Sequence, residues 1–328
     1  MYLMNEDNVK FSNLINLSSS RNGGEIVKFS DDFLGEAENI LEPGRGEFDE
    51  NLFNEKGKVY DGWGSKRSRN IDNEDYVIIK LAKTGVIQLV DIDTNHFKSN
   101  SPMFASVKGY FLKEDELFDE ENVKWLNLLE PVYVYSNKQN LYNIVESKPV
   151  NHIKLTIYPD GGIARFKVYG TPIVDTKEES MDYASILNGG SVILSSDTYY
   201  GEMGNLIKPN VPVNSNDGWG TMRRRQDGND WVIIKLGKSI ELEEIIINTQ
   251  HFIGNFPESC IIEGLNKPKA TNLDVYKNKK WVLIRDDYKL FSGHEHRITQ
   301  FENEGKVSHI KISIIPDGGL SRIKIIGK

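Results

Sequence analysis

One long pattern occurs twice in this 328-residue sequence. "DGWGSKRSR" begins at Asp61, and "DGWGTMRRR" begins at Asp217, 156 residues further along the chain. "DYVIIKL" from Asp75 and "DWVIIKL" from Asp230 repeat at an offset of 155 residues. A "PDGG" segment lies near the end of each copy at almost the same offset. This period exceeds the roughly 20 to 50 residues of a solenoid repeat. The pattern therefore predicts a duplicated domain.

The extent of each copy can be read from the motifs. The first copy runs over residues 11–170 and the second over residues 181–328. Between them, residues 171–180 ("TPIVDTKEES") contain a proline, several polar residues and no apolar periodicity, as is typical of a linker. A chain of this length has room for two domains, each with its own core. We therefore predict two tandem domains joined by a short linker.

Both copies have the pattern of β-structure. In "HIKLTIYPDGG", the apolar residues Ile153, Leu155 and Ile157 alternate with polar ones, which is the period of a strand with one buried face. "PDGG" favours a turn, so this strand and the next are predicted to form a hairpin. "VIIKL" and the apolar stretch after it predict another pair of short strands. Only residues 113–130 could hold a helix. Many short strands and turns predict an all-β fold of two tandem jelly-roll sandwiches.

Composition excludes several classes of protein. The formal net charge of −8 argues against a nucleic-acid-binding protein or one that binds a membrane surface, because both need a basic excess. The single cysteine, Cys260, allows no intramolecular disulfide and fits a reducing compartment. No secretory signal and no run of apolar residues long enough to span a membrane are evident. We expect a cytoplasmic protein in which any anion site is local.

Basic residues follow the Asp-Gly-Trp turn in both copies. They are Arg67 and Arg69 in the first copy, and Arg223, Arg224 and Arg225 in the second. A planar guanidinium can hold a carboxylate through two hydrogen bonds, so these residues are candidates for an anion site. An ordinary solvated loop between strands is the alternative, and a duplicated fold would duplicate that loop as well. The adjacent tryptophans are predicted to be core anchors.

Histidines and one carboxylate offer acid–base chemistry. His96 and His251 end predicted strands, from which an imidazole could face a pocket or cap the strand end. His152 and His309 begin strands and are predicted to be structural. Glu258 follows His251 by seven residues and has no acidic counterpart in the first copy.

A metal site is not indicated. His294 and His296 form a "HEH" pair, but no third ligand lies at a recognisable spacing. No phosphate-binding loop, dinucleotide fingerprint or nucleophile elbow is present in the sequence. We therefore expect neither a metal nor a cofactor.

Taken together, these motifs resemble those of the allantoicase family. The first copy contributes "NILEPGRGEF", "DGWGSKRSR", "DYVIIKL", "DIDTNHF" and "HIKLTIYPDGGIARFKVYG"; the second contributes "DGWGTMRRR", "DWVIIKLGK", "NTQHFIGNFPESC" and "HIKISIIPDGGLSRIKIIGK". The resemblance covers nearly the whole chain. It implies galactose-binding-like jelly-roll modules and the hydrolysis of allantoate to ureidoglycolate and urea in purine degradation.

The resemblance and the residue types suggest roles for particular side chains. In the second copy, His251 and Glu258 would be the acid–base residues. The groups that would bind the carboxylate and the ureido oxygens are Arg223, Arg225, Asn255 and Arg322. A second candidate set in the first copy consists of Arg67, Arg69, His96 and Arg165.

Two features depart from the family pattern. The family usually has a glutamate after Asp-Gly-Trp, whereas this chain has Gly64 and Gly220. The "PGRG" of residues 43–46 is replaced by "PNVP" in the second copy.

Other functions remain open at the level of sequence. Tandem modules of this kind can be non-catalytic domains that bind carbohydrates or other small ligands, and fold alone does not decide function. A related ureide hydrolase with a different substrate is a further possibility. A homo-oligomer is expected from its frequency among such enzymes.

Overall fold

The computed structural model describes residues 14–120, 122–145, 147–174 and 180–328. Contacts divide the chain into two units, with the boundary between Ile173 and Val174. Thr171 and Pro172, which the sequence assigned to the linker, belong to the last strand of the first unit. Residues 11–13 of the predicted first copy and residues 175–179 of the predicted linker lie outside the described residues.

The first unit, here called the first module, is a β-structure with two short 3₁₀ helices at Ser20–Asn22 and Ala37–Leu41. Its strands are β1 (Ile15–Asn16), β2 (Glu25–Phe29), β3 (Phe53–Asn54), β4 (Gly57–Lys58), β5 (Trp63–Gly64), β6 (Asp75–Asp93), β7 (Phe104–Tyr110), β8 (Leu126–Tyr133), β9 (Gln139–Asn143), β10 (Val150–Tyr158), β11 (Gly162–Ile163) and β12 (Arg165–Pro172).

Strand β6 organises the first module. It is one continuous strand of 19 residues, so the predicted pair of short strands is wrong. Its first part pairs with β2 and β10, and its second part pairs with β9 and β12. The sheet order is β1-β12-β6-β10-β7-β8. Its β-branched residues suit this long pleated path, because alternate side chains can be buried along its whole length.

The predicted "PDGG" hairpin is also wrong, although both of its strands exist. Strand β10 pairs with β6 and β7, whereas β12 pairs with β6 and β1, so β10 and β12 do not pair with each other. Between them, β11 pairs with β5, the strand of the Asp-Gly-Trp motif. Alternation of apolar residues indicates a strand but does not identify its partner. The turn therefore carries the chain from one part of β6 to the other.

The second unit, the second module, repeats this plan. Its strands are β13 (Met181–Asp182), β14 (Ser191–Ser195), β15 (Trp219–Gly220), β16 (Asp230–Asn248), β17 (Ser259–Leu265), β18 (Val282–Lys289), β19 (Glu295–Ile298), β20 (Lys306–Ile315), β21 (Gly319–Leu320) and β22 (Arg322–Gly327). Its helical segments are three 3₁₀ turns at Ile186–Asn188, Met203–Ile207 and Ser215–Asp217, and a short α-helix α1 at Asn272–Tyr276.

The sheet orders of the two modules correspond strand for strand. The second module has the order β13-β22-β16-β20-β17-β18, and β16 is again a single strand of 19 residues. Trp63 and Trp219 are fully buried, and each indole N–H donates to a backbone carbonyl, of Asp31 and Asp197 respectively. Both are therefore core anchors, as predicted. The prediction of an all-β, internally duplicated fold is confirmed.

The helix considered for residues 113–130 is wrong. The described part of this segment consists of turns and irregular chain up to Trp125, and strand β8 begins at Leu126. Its charged residues give a weak helical pattern. From Leu126 onward, however, the segment pairs with β7 at the edge of the sheet, and this tertiary pairing decides its structure.

Candidate active site

Pairing of two short strands brings the repeated motifs together in each module. In the second module, Trp219 pairs with Leu320 and Gly220 with Gly319. The Asp-Gly-Trp segment and the "PDGG" segment are about 100 residues apart in sequence but adjacent in space. The backbone N–H of Arg224 also donates to Asp317 Oδ2 at 2.7 Å. The loop that carries the arginines is thus held by the aspartate of the "PDGG" turn.

Arg322 is a structural residue of this arrangement. Its side chain is 4% exposed, and its Nη2 donates to Asp217 Oδ2 at 2.8 Å. The remaining donors contact the Asp217 and Ser321 carbonyls and the carbonyl and side-chain oxygens of Asn210. All five N–H donors of the guanidinium are therefore occupied. No donor is left to bind a substrate carboxylate.

Arg165 has the same position in the first module. It is 4% exposed and donates to Asp61 Oδ2 at 2.7 Å, as well as to the carbonyls of Asp61, Ala164 and Pro43. Arg165 and Arg322 were both predicted to bind substrate, and the structure contradicts this role. Sequence could not separate them from the loop arginines, because the residue type is the same and only burial distinguishes them.

The carboxylates that face these arginines are ionised partners. Burial alone would raise the pKa of Asp217, but its hydrogen bond with Arg322 and the charge of that guanidinium outweigh burial and lower the pKa. The pKa of Asp61 is lowered in the same way by Arg165. Each Asp-Gly turn is therefore fixed by an ion pair with a buried arginine, and in the second module the aspartate is buried as well.

A cavity of about 770 Å³ opens beside these motifs in the second module. We call it the second cavity. Its lining combines aromatic faces with a few charged and amide groups, as is usual for small-molecule sites. The lining residues are Tyr200, Ser215, Asn216, Thr221, Arg223, Phe252, Gly254, Asn255, Phe256, Glu258, Lys289, Leu290, Phe291, Pro316, Asp317 and Gly318.

Three of the predicted site residues line the second cavity: Arg223, Asn255 and Glu258. Among the residues that the structure describes, Arg223 has neither a hydrogen bond nor an ion pair, so its guanidinium is available to a ligand. Arg225 is exposed but does not line the cavity. Arg224, between them, is paired with Asp230. Only one of the loop arginines therefore faces the cavity without a partner.

Glu258 and Lys289 form an ion pair at the wall of the second cavity. Lys289 Nζ lies 3.0 Å from Glu258 Oε1. The hydrogen bond that Lys289 donates to this carboxylate raises the pKa of Lys289, which stays protonated. Sequence reasoning missed Lys289, because it lies on β18, about 30 residues beyond Glu258. The cross-strand pair Ser259–Lys289 brings the two together.

His251 does not reach the second cavity. Its Nε2 lies 2.9 Å from the carbonyl oxygen of Pro212, and its backbone has φ = 68°. The predicted pairing of His251 with Glu258 is therefore not present. In the first module, His96 stacks on Phe48 with ring centroids 5.4 Å apart and also lies outside the cavity lining. Both imidazoles therefore contact a loop of their own module, at Pro212 and at Phe48, and neither lines a cavity.

The first module has a related cavity of about 490 Å³, which we call the first cavity. Arg67 lines it, whereas Arg69 and Arg165 do not. Several lining positions correspond between the cavities, since the arginine, the asparagine, the phenylalanine and the "PDGG" aspartate recur. The lining residues are Leu34, Lys56, Lys58, Tyr60, Gly62, Gly64, Ser65, Arg67, Phe97, Ser99, Asn100, Asp160, Gly161 and Gly162.

The two glycines that replace the family glutamate lie in close contact with a neighbouring segment. A Cβ atom on Gly64 would lie 3.1 Å from Leu34 Cβ, and one on Gly220 would lie 3.2 Å from Tyr200 Cβ. The segments containing Leu34 and Tyr200 thus pack closely against these positions in this chain. Any carboxylate that the chemistry needs must come from elsewhere in the lining, and in the second cavity Glu258 can supply it.

Within residues 14–120, 122–145, 147–174 and 180–328, no group of three or more His, Cys, Asp and Glu side chains is placed to hold a metal ion. In the same ranges, no helix is long and apolar enough to cross a membrane.

A family model described as "Allantoicase repeat" matches residues 15–173 and 181–328, one match in each module. The chain belongs to the allantoicase repeat family. The family membership predicted from the motifs is therefore confirmed. Among curated relatives of the family, a "Probable allantoicase" from Pseudomonas fluorescens is 38% identical over 331 residues, which covers 99% of each chain. One from Pseudomonas savastanoi pv. phaseolicola is 37% identical over 97% of each chain.

A solved allantoicase structure also matches over the full length. The crystal structure of allantoicase from Saccharomyces cerevisiae has a TM-score of 0.78 and 31% sequence identity, covering 100% of this chain and 99% of that one. Both modules therefore have the family's fold, and no part of the chain's length lacks a counterpart.

Proposed function

We propose that this chain is a hydrolase that converts allantoate and water to ureidoglycolate and urea in purine degradation. The observation that carries the proposal is the similarity to allantoicases along the full length of the chain, at 38% identity to a bacterial relative and 31% to the yeast protein. We place the reaction in the second cavity, because only that cavity combines an unpaired guanidinium with the Glu258–Lys289 ion pair among its described lining residues.

Each charged group has a role in this proposal. Arg223 binds the allantoate carboxylate, for which its two-pronged guanidinium is suited. The side-chain amide of Asn255 hydrogen-bonds a ureido group. Glu258 moves protons, and the adjacent Lys289 ammonium, 3.0 Å from its Oε1, orients it. The aromatic rings of Phe252, Phe256 and Phe291 would limit the access of bulk water to the reacting carbon.

The chemistry requires no covalent intermediate with the enzyme. The reacting carbon of allantoate bears a hydrogen, a carboxylate and two ureido nitrogens. Glu258 accepts the N–H proton of the nitrogen that stays, and this nitrogen forms a double bond to carbon as the other C–N bond breaks. Glu258 passes the proton to the leaving nitrogen, which departs as urea.

Water completes the reaction. It adds to the C=N bond, and Glu258 accepts a proton from the water and returns it to nitrogen, which gives ureidoglycolate. Glu258 is ionised again at the end, so protons and electrons balance over the cycle.

The test is direct. Purified protein is incubated with allantoate, and urea and ureidoglycolate are measured over time. We expect the two products in equal amounts, at a rate proportional to enzyme concentration. If neither product forms at high enzyme concentration, the hydrolase is refuted and a non-catalytic binding protein is favoured.

We propose the cytoplasm as the compartment, since the one cysteine of the sequence fits a reducing environment. That the chain forms a homo-oligomer, and that it does not bind nucleic acid, are still predictions from the sequence.

A further inference from the structure

The first cavity differs from the second in its charge. Lys56, Lys58 and Arg67 line it, and the only acidic residue in its lining is Asp160. Asp160 Oδ2 already accepts a hydrogen bond from the backbone N–H of Ser68 at 2.7 Å. The second cavity instead balances Arg223 and Lys289 against two carboxylates, those of Glu258 and Asp317. An anion is therefore the expected occupant of the first cavity, although the whole chain is acidic.

An extra segment supplies two of the three cations. Residues 42–62 connect the 3₁₀ helix Ala37–Leu41 to β5, whereas the equivalent connection in the second module has only residues 208–218. The longer connection contains the β3–β4 hairpin, which carries Lys56 and Lys58. Among the described residues neither lysine has a carboxylate partner. Lys56 Nζ lies 4.7 Å from the Phe33 ring centroid, and Lys58 Nζ lies 4.9 Å from that of Phe48.

A buried acceptor in the first cavity indicates what else the ligand must carry. Asn100 lines the cavity, and its side-chain oxygen is buried without a hydrogen-bond partner among the described residues. An unpaired buried acceptor costs free energy, and a ligand N–H would relieve that cost. Backbone contacts fix Asn100 in place, because its carbonyl accepts from the N–H of Gly162 at 2.7 Å. The cavity thus presents cations for an acid group, and an acceptor without a described partner is buried in its wall.

The catalytic carboxylate has no equivalent in the first cavity. Glu258 N donates to the Ile315 carbonyl, and Met103 N donates to the Tyr158 carbonyl in the same structural position. Lys289 pairs across strands with the residue after Glu258, and Tyr133 pairs with the residue after Met103. A methionine and a tyrosine thus replace the Glu258–Lys289 pair. The first cavity can bind a ligand but lacks this acid–base pair.

We propose that the first cavity is a non-catalytic binding site for small carboxylates that carry a ureido group. Arg67, Lys56 and Lys58 hold the carboxylate, and the Asn100 oxygen accepts a ureido N–H. The first cavity lies wholly within the first module and shares no residue with the second cavity. Its binding can therefore be measured whether or not the second cavity hydrolyses allantoate.

The probe is N-carbamoylglycine, which has one carboxylate and one ureido group and no second ureido group to leave. Binding to the full chain is followed by isothermal titration calorimetry. We expect two molecules bound per chain in the wild type and one in Arg223→Met, in which the second cavity has lost its guanidinium. Arg67→Met should also bind one, and the double variant none. Arg69→Met is the matched control: this exposed arginine of the same loop lies outside the cavity, and the variant should bind two.

A second variant tests the ureido contact. Asn100→Leu, made in the Arg223→Met background, should weaken N-carbamoylglycine binding at least tenfold and leave glycolate binding unchanged, because glycolate has no ureido N–H. Loss of all binding in Arg223→Met overturns the proposal, as does unchanged binding in Arg67→Met. If Arg223→Met still binds one molecule while the wild type releases no urea from allantoate, the first-cavity site stands and the proposed hydrolase fails.

Discussion

Arg322 Nη2 and Asp217 Oδ2 lie 2.8 Å apart in the interior of the second module, where both side chains are less than 5% exposed. The first module repeats the contact between Arg165 and Asp61 at 2.7 Å. Each pair ties the first residue of the Asp-Gly-Trp motif to the strand that follows "PDGG". The repeated aspartate and this repeated arginine therefore have a structural role, and of the loop arginines only Arg67 and Arg223 line a cavity.

Arg322→Met should destabilise the second module by about 3 to 5 kcal/mol, because removal of one partner leaves a buried carboxylate and several carbonyls unpaired. Urea denaturation measures the change in the free energy of unfolding. Arg297→Met is the matched control: Arg297 is 59% exposed and pairs with Glu244 and Glu295. It should cost no more than about 1 kcal/mol. Equal, small effects in both variants would refute the structural role of Arg322.

Stability should fall as the pH drops from about 6.5 towards 4 because of His309. This side chain is fully buried, and burial, with a smaller contribution from Lys235, lowers its pKa to about 4. The unfolded chain therefore binds a proton in this range before the folded chain does. The neutral His309 contributes fully to the free energy of unfolding above pH 6.5. Up to about 3 kcal/mol of this free energy is lost as the pH falls from 6.5 to 4.

The check on His309 is the melting temperature across this pH range. His309→Phe should make the slope between pH 6.5 and 4 shallower but not flat, because burial also lowers the pKa of His152 and His296, which remain. The assignment is wrong if His309→Phe and the wild type lose melting temperature in parallel.

Arg223→Met should raise the KM for allantoate about 10- to 100-fold, which corresponds to the loss of a charged hydrogen-bond contact. The turnover number should change less, because the carboxylate is bound in both the ground state and the transition state. Steady-state kinetics of urea release separate the two constants. Arg225→Met, which alters an exposed arginine outside the cavity lining, should behave as wild type. A KM unchanged in Arg223→Met would remove Arg223 from the binding site.

Glu258→Gln should reduce the turnover number by about 10²- to 10⁴-fold, the usual contribution of a positioned acid–base group. Glu263→Gln is the control, because Glu263 also pairs with a lysine, Lys311, at 2.7 Å, but lines no part of the second cavity. Rates are compared at saturating allantoate. A Glu258→Gln enzyme that retains most of its turnover number would show that another group moves the protons.

The fold could largely be read from the sequence, because duplication and alternating apolar residues are local patterns. Strand pairing could not. The "PDGG" turn has ideal hairpin residues, yet β10 and β12 pair separately with β6, and β11 turns aside to pair with β5. Contacts between segments that are distant in sequence determine which strands pair. Local periodicity contains no information about those contacts.

The candidate site could be predicted only in part, because the sequence shows residue types but neither burial nor strand pairing. Arg223, Asn255 and Glu258 have the right chemistry and line the second cavity. Arg322 has the same guanidinium group, but its donors are occupied by Asp217 and neighbouring carbonyls. The residue type alone does not show that this side chain is buried. Lys289 gave no signal in the sequence, because its place beside Glu258 depends on the β17–β18 pairing.

The most direct test of the central claim is a crystal structure of the Glu258→Gln chain with allantoate. Our account predicts intact allantoate in the second cavity, with its carboxylate within hydrogen-bond distance of the Arg223 guanidinium and a ureido nitrogen beside residue 258. An allantoate molecule bound only outside the second cavity, or one whose carboxylate does not contact Arg223, would contradict it.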